Sequence, residues 1–294
     1  MSRVAIASLA LVLAASGCTV VLSPDESQCE AAADCAERGF GDTASCVDGV
    51  CVDGAGGGGG GGVDPIWGCL GKVVEPTPDP SKTFTIQVRL AFANGGEAVT
   101  DADVDFCDKL DVNCTGTSPD FPKGLTPDAT GLVSATLKQG FDGFVKITSS
   151  EIVDSRVYVG RPIVAPPQVK EVQLLRPLEY ETLANLAQGQ VDPTRGTAIL
   201  LAVDCSGVAA SGVRFETPNG DADTIPFYLI NQAPTIPPTA TSTDRDGFGG
   251  FFNLPVSAAV ARAYRESDDA FIGESSFQIL ANTISYVQIA PTPQ

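Results

Sequence analysis

The sequence predicts an all-β chain of two tandem antiparallel β-sandwiches, preceded by a small disulfide module and a Gly-rich linker. Three observations predict it. Short apolar–polar alternations recur from Phe84 to Ile289, at the period of a half-buried strand. Thirty-one Gly and twenty-one Pro break the chain into turns rather than long helices. Parts of the first half of this region reappear about 110 residues later in the second.

Composition fixes the broad class. Hydrophobic residues make up 43% of the 294 and charged residues 18%, so the chain can bury real cores. Its formal net charge of -18 repels polyanions, and no nucleic-acid partner is expected. There is no histidine. That removes the commonest general base, every Ser-His or Cys-His pair, and most zinc and copper sites. No catalytic residue and no cofactor is therefore assigned.

Residues 1–17 form a leader, with Arg3 as its positive end and Val4 to Ala15 as its apolar stretch. That stretch is too short to span a bilayer. It runs into Leu13-Ala14-Ala15-Ser16-Gly17-Cys18, which resembles the lipobox of bacterial lipoproteins, with Ala15 where Leu is usual. The resemblance implies cleavage before Cys18 and a lipid on its thiol, with the membrane as partner through that lipid. Thr19 is not the Asp of an inner-membrane retention signal. The expected location is the outer membrane of a Gram-negative cell, with the soluble part outside the cytoplasm.

The disulfide module occupies residues 18–53. Cys29, Cys35, Cys46 and Cys51 are spaced C-x5-C-x10-C-x4-C. So small a segment has little core and needs staples, and zinc sites favour tighter C-x2-C pairs. Two disulfides are expected, with three connectivities open, an interleaved one among them. The segment resembles small disulfide modules near the N-termini of surface lipoproteins. Residues 54–65 are the linker, with an unbroken run from Gly56 to Gly62. Ordering seven glycines has no side-chain burial to offset it. The run reaches roughly 15–20 Å as a random coil.

Residues 66–178 make the first sandwich. Phe84, Ile86, Val88, Leu90 and Phe92 alternate with Thr85, Gln87, Arg89 and Ala91, and Val104 and Phe106 alternate with Asp103 and Asp105. Residues 132–137, 144–148, 156–159 and 169–175 supply further short runs. Residues 179–294 make the second sandwich and open on a linking helix. Its face is Tyr180, Leu183, Leu186 and Ala187, after Pro177 and before Gly189. Strands are then expected at 197–203, 212–216, 225–230, 249–254, 257–264 and 284–289.

The two halves superpose at a few positions. Asp105-Phe106 answers Arg214-Phe215, Thr126 to Gly131 answers Thr243 to Gly247, and Val172 to Leu174 answers Val287 to Ile289. The second copy carries Gly207 to Phe215, then Thr243-Asp244-Arg245-Asp246-Gly247, then Gly249-Gly250-Phe251-Phe252-Asn253-Leu254-Pro255. This resembles the carboxypeptidase regulatory-like, or transthyretin-like, sandwich. The resemblance implies a fold and no reaction; such domains serve as spacers, accessory domains or binding modules. Some relatives carry a Lys–Asn isopeptide bond. The second copy has no lysine for one, and in the first Lys82 and Lys146 have no evident supporting acid.

Several residue groups invite a chemical role. Asp244 and Asp246 suit a hard cation such as calcium, but the other ligands of an EF-hand loop are missing, and a β-turn accounts for them. Asp101, Asp103 and Asp105, with Asp108 and Asp111 beyond, would repel one another unless a cation or solvent intervened. A solvated face or a protected strand edge accounts for these. Trp67, Tyr228, Phe248, Phe251 and Phe252 are the aromatics for a sugar-binding face, although adjacent Phe251 and Phe252 point to opposite sides of a strand. No particular pair of carboxylates is marked for glycoside hydrolysis. Among Cys69, Cys107, Cys114 and Cys205, one arrangement closes a short loop from Cys107 to Cys114 and staples Cys69 to Cys205. Another pairs Cys69 within its own domain and leaves Cys205 buried or free.

The expected function is a non-enzymatic, lipid-anchored binding or structural protein of the cell surface, a spacer or adhesin with a protein or polysaccharide partner. The alternative is a carbohydrate-binding or hydrolytic accessory acting on extracellular polysaccharide.

Overall fold

A computed structural model describes residues 45–47, 50–52, 66–75, 77–164, 170–187, 189–234 and 239–293. The leader, Cys18, Cys29, Cys35 and the Gly-rich linker lie outside those residues. Of the disulfide module, strands β1 (Ser45–Val47) and β2 (Val50–Val52) are described, and they pair antiparallel with Cys46 opposite Cys51.

Six strands follow: β3 (Thr83–Phe92), β4 (Asp103–Asp108), β5 (Leu132–Lys138), β6 (Gly143–Thr148), β7 (Ser155–Tyr158) and β8 (Lys170–Leu174). The alternation in β3 buries Ile86, Val88 and Leu90 and leaves Thr85 and Arg89 exposed. β3 pairs antiparallel with β5 and parallel with β8, while β4, β6 and β7 form an antiparallel run.

Helix α1 (Pro177–Leu186) comes next. Pro177 suits its first turn because its missing N–H needs no partner there. Arg176 precedes it in an extended conformation, and its backbone N–H donates to Glu179 Oε2 at 2.8 Å. The Arg176 guanidinium stacks 3.5 Å over Phe92 and pairs with Glu97 at 3.1 Å, which ties the helix to the first unit. On the buried face the Tyr180 ring lies 6.0 Å from Phe252, and its hydroxyl shares a 2.6 Å hydrogen bond with Thr197 Oγ1.

Eight more strands complete the chain: β9 (Gly196–Ala202), β10 (Val213–Glu216), β11 (Ile225–Ile230), β12 (Ala233–Pro234), β13 (Phe248–Leu254), β14 (Ser257–Arg265), β15 (Phe271–Ile279) and β16 (Ile284–Ile289). The pairing repeats that of the first unit. β9 pairs antiparallel with β13 and parallel with β16, while β10, β14 and β15 form an antiparallel run. The β11–β12 hairpin, added outside β13, has no counterpart among the described strands of the first unit.

Among the described residues the chain is all-β apart from α1, as the sequence predicts, and its two units are welded. β16 pairs in parallel with β7 of the first unit as well as with β9, so one eight-stranded sheet runs β12-β11-β13-β9-β16-β7-β6-β4. The β5-β3-β8 sheet and α1 contribute to a core on one face, and the β10-β14-β15 sheet to a core on the other. With both faces covered, every residue of β9 and β13 is buried, which is why Ala198 to Ala202 of β9 read as a continuous apolar run. Phe251 joins one core and Phe252 the other. A polar contact crosses the seam, the Gln278 N–H donating to the Tyr158 hydroxyl at 3.1 Å, and Ser285 Oγ of the same unit donates to the Gln278 carbonyl at 2.9 Å.

β15 is the longest strand that sequence reading missed. Its inward positions include Gly273 and Ser275 between Phe271 and Phe277, so the apolar alternation fails there. Gly273 is needed because a Cβ would stand 2.2 Å from the Ala290 carbonyl oxygen.

Candidate functional site

The Asp cluster near β4 is dispersed into local bonds. Asp101 accepts from Ser149 Oγ at 3.0 Å, and Asp105 accepts from the Gly124 N–H at 2.8 Å and lies 3.6 Å from Lys146. Asp103 is exposed. Asp108 accepts from the Leu110 N–H, and Asp111 from the N–H groups of Thr115 and Gly116. Those two amides hold the Asp111 carboxyl below its usual range.

Asp244 and Asp246 lie in one turn. Asp244 accepts from the Asp246 N–H at 2.9 Å and from the Asn231 N–H at 2.6 Å. Asp246 is buried and its Oδ2 has no hydrogen-bond partner; burial, then the charge of Asp244, pushes its carboxyl up. Among the described residues, no group of three or more Cys, Asp or Glu converges as a metal site. Of the two lysines considered for an isopeptide bond, Lys82 pairs with Asp79 at 3.3 Å and Lys146 with Asp105.

The five candidate aromatics do not make a sugar-binding face. Trp67, Tyr228, Phe248, Phe251 and Phe252 are all buried, because both faces of the long sheet are covered. Tyr228 uses its hydroxyl as an internal acceptor for the Phe215 N–H at 2.8 Å.

The cysteines adopt the first of the two arrangements open to them. Cys69 bonds Cys205 across 136 residues, and Cys107 bonds Cys114 across seven. The short bridge helps to build a groove of about 470 Å³ at one end of the first unit. One wall is the start of the bridged loop, Asp108, Lys109 and Leu110, with the Leu110 side chain at the rim and 89% exposed. The turn after β5 supplies Gln139, Phe141 and Asp142, and the loop before β5 supplies Asp120 and Phe121. The rings of Phe121 and Phe141 lie 5.9 Å apart at the base. Ion pairs brace the sides, Lys109 to Asp142 at 3.3 Å and Lys138 to Asp120 at 2.8 Å. Behind the loop, the Lys123 ammonium donates to the Cys114 carbonyl at 2.9 Å and lies 2.7 Å from Cys114 Sγ.

Chemically the groove is amphipathic. Its aromatic base suits an apolar face, and its rims offer hydrogen-bonding groups of both signs. Two of its carboxylates, Asp142 and Asp120, face the ammonium groups of Lys109 and Lys138. Sequence reasoning missed Lys109, Phe121, Lys123, Lys138, Phe141 and Asp142, which the fold gathers from separate loops. The short spacing of Cys107 and Cys114 was the one usable signal.

No family model and no curated protein matches the sequence. Among solved structures, the chain is similar to the Bacillus anthracis TIE protein, at 12% identity and a TM-score of 0.25, over 71% of this chain and 34% of that one. It is similar to the shaft pilin SpaA from Lactobacillus rhamnosus GG, at 11% identity and a TM-score of 0.23, over 72% of this chain and 99% of that one. It is also similar to BcpA, the major pilin subunit of Bacillus cereus, at 12% identity and a TM-score of 0.23, over 72% of this chain and 70% of that one. The chain thus spans about a third of the length of the first of these.

Proposed function

We propose that this chain is a non-enzymatic structural and binding module of the cell surface, tethered through a lipid on Cys18 and built of two transthyretin-like sandwiches. The observation that carries this is the Cys69–Cys205 bridge together with the shared sheet. Tension arriving from the N-terminal side meets Cys69 and passes through the disulfide to the loop after β9, bypassing the 136-residue span between them. β9 in turn is held by β16, up to the Val203 N–H that donates to the Ile289 carbonyl at 3.0 Å. A body held this way keeps its shape under a pull on its tether. The groove beside Leu110 is the contact surface for a protein or polysaccharide.

The test has two arms. Native cells fed labelled palmitate should label the wild-type chain and not Cys18→Ala, with the label in the outer-membrane fraction. A glycan array and a cross-linking pull-down with the full chain should then find a partner that Leu110→Asp loses. Absence of lipid label on the wild-type protein rejects the tether. A partner retained in full by Leu110→Asp rejects the groove as its seat.

A further inference from the structure

The two described disulfides differ in what surrounds their sulfurs. Lys123 places its ammonium 2.7 Å from Cys114 Sγ and 3.7 Å from Cys107 Sγ. The long bridge instead receives a backbone N–H, from Cys69 to Cys205 Sγ at 3.1 Å, and nearby Lys72 is spent on the Gly68 carbonyl. We propose that Cys107–Cys114 is a thiol-exchange site, opened by a dithiol reductant while Lys123 holds the departing thiolates, and that opening it releases one wall of the groove.

The chemistry follows from the charge. A cation beside a sulfur lowers the pKa of the thiol that forms there, and a thiol of lower pKa leaves faster. Cys114 is the less buried residue of the pair, 8% exposed against 0% for Cys107. A thiolate of the dithiol attacks Cys114 Sγ. A new S–S bond joins reductant to Cys114, the bond to Cys107 breaks, and its electron pair departs on Cys107, 3.7 Å from Lys123. The second thiolate of the reductant then attacks its own sulfur in this mixed disulfide. That closes the disulfide of the reductant and expels Cys114 as a thiolate beside the same ammonium. Two electrons pass from the dithiol to the protein, and the two protons the dithiol gives up end on the two cysteines.

The consequence lies in the loop. Cys114 is a non-glycine residue in the left-handed region, at φ 55°, and the loop it closes carries Asp108, Lys109 and Leu110 at the groove. Asp111 brings a negative charge near Lys123, but its oxygens are held by the Thr115 and Gly116 N–H groups. Unbridged, the wall keeps the Lys109–Asp142 ion pair and turns such as the Asp111 N–H to the Asp108 carbonyl, and loses the covalent closure of the loop between residues 107 and 114.

The experiment uses the full chain. Dithiothreitol is added, samples are alkylated at intervals, and each cysteine pair is followed by peptide mass mapping. Cys107 and Cys114 should label before Cys69 and Cys205. Lys123→Met should slow the first pair about tenfold, and Lys123→Arg should stay within about twofold of wild type. After reduction, the pH midpoint for alkylating Cys114 should rise in Lys123→Met, a change that a purely structural lysine would not produce. Should Lys123→Met fail to fold, the labelling order in wild type and the Lys123→Arg rate still decide. Earlier opening of Cys69–Cys205, or a Lys123→Met variant that opens as fast as wild type, overturns the proposal.

Discussion

Gly131 and Gly247 hold the same place in two repeated turns. Both are left-handed, at φ 80° and 74°. The Leu90 N–H donates to the Gly131 carbonyl at 2.8 Å, and the Ala202 N–H donates to the Gly247 carbonyl at 2.9 Å. Each turn is thus pinned against the central strand of its unit, β3 or β9. An added Cβ at Gly131 would stand 2.3 Å from the Leu90 oxygen, and at Gly247 2.7 Å from the Ala202 oxygen. At Gly95, also left-handed at φ 91°, it would meet nothing within 4 Å. Gly131→Ala and Gly247→Ala should each cost about 2–4 kcal/mol, conformational penalty plus clash, and Gly95→Ala only about 1–2. Urea melts of the three variants check this, and equal losses at all three would remove the backbone contact as the cause.

These turns were legible in the sequence because sterics leave few residues able to make them. The strands of β3 and β4 were legible from alternation, and β9 was expected at 197–203, where Ala198 to Val203 are apolar. The weld between units was not. Nothing local in Ile284 to Ile289 says that its second neighbour is Ser155 to Tyr158 rather than solvent, since parallel partners are chosen by tertiary packing. The groove was hidden for a similar reason: Lys109, Phe121 and Asp142 meet only after β4 and β6 have paired.

Asp246 sets a pH dependence of stability whose sign can be worked out. Its carboxyl is raised in the folded chain, first by burial and then by Asp244, from an ordinary value of 3.8. A group raised on folding contributes stability below its unfolded pKa and loses it as pH climbs through the folded pKa. The native chain therefore carries a penalty at neutral pH that is absent below about 3.8. Asp246→Asn should gain about 1 kcal/mol at pH 7, since it removes a buried charge whose Oδ2 accepts no hydrogen bond and which the Arg245 ion pair at 3.6 Å only partly offsets. The gain should vanish below pH 3.8. Thermal melts at both pH values test it; a variant equally weakened at both would show that the turn needs the carboxylate itself.

The long staple should matter more to stability than the short one. A disulfide acts largely by restricting the unfolded chain, and its effect grows with loop length. Replacing Cys69 and Cys205 by Ser should cost about 4–5 kcal/mol, against about 2–3 for the Cys107–Cys114 pair. Denaturant melts under non-reducing conditions measure both. If the double Ser variant at Cys107 and Cys114 were the weaker protein, loop length would not be the governing quantity.

The weld predicts how the chain unfolds. Two independent sandwiches would melt in two steps, each with its own midpoint. Here β16 completes the sheet of the second unit while pairing with β7 of the first, and Tyr158 crosses to Gln278 above it. Neither unit can lose β16 without exposing an unpaired strand in the other. Calorimetry should therefore show one transition with matching calorimetric and van't Hoff enthalpies. Ser285 stands between Arg156 and Ala198, so Ser285→Pro removes an interior ladder donor and should cost about 3 kcal/mol or more. That loss should speed amide exchange at Leu90 in β3 as much as at Ile199 in β9, although Leu90 belongs to another sheet. Two separate wild-type transitions, or exchange at Leu90 untouched by Ser285→Pro, would mean that the units only lean on each other.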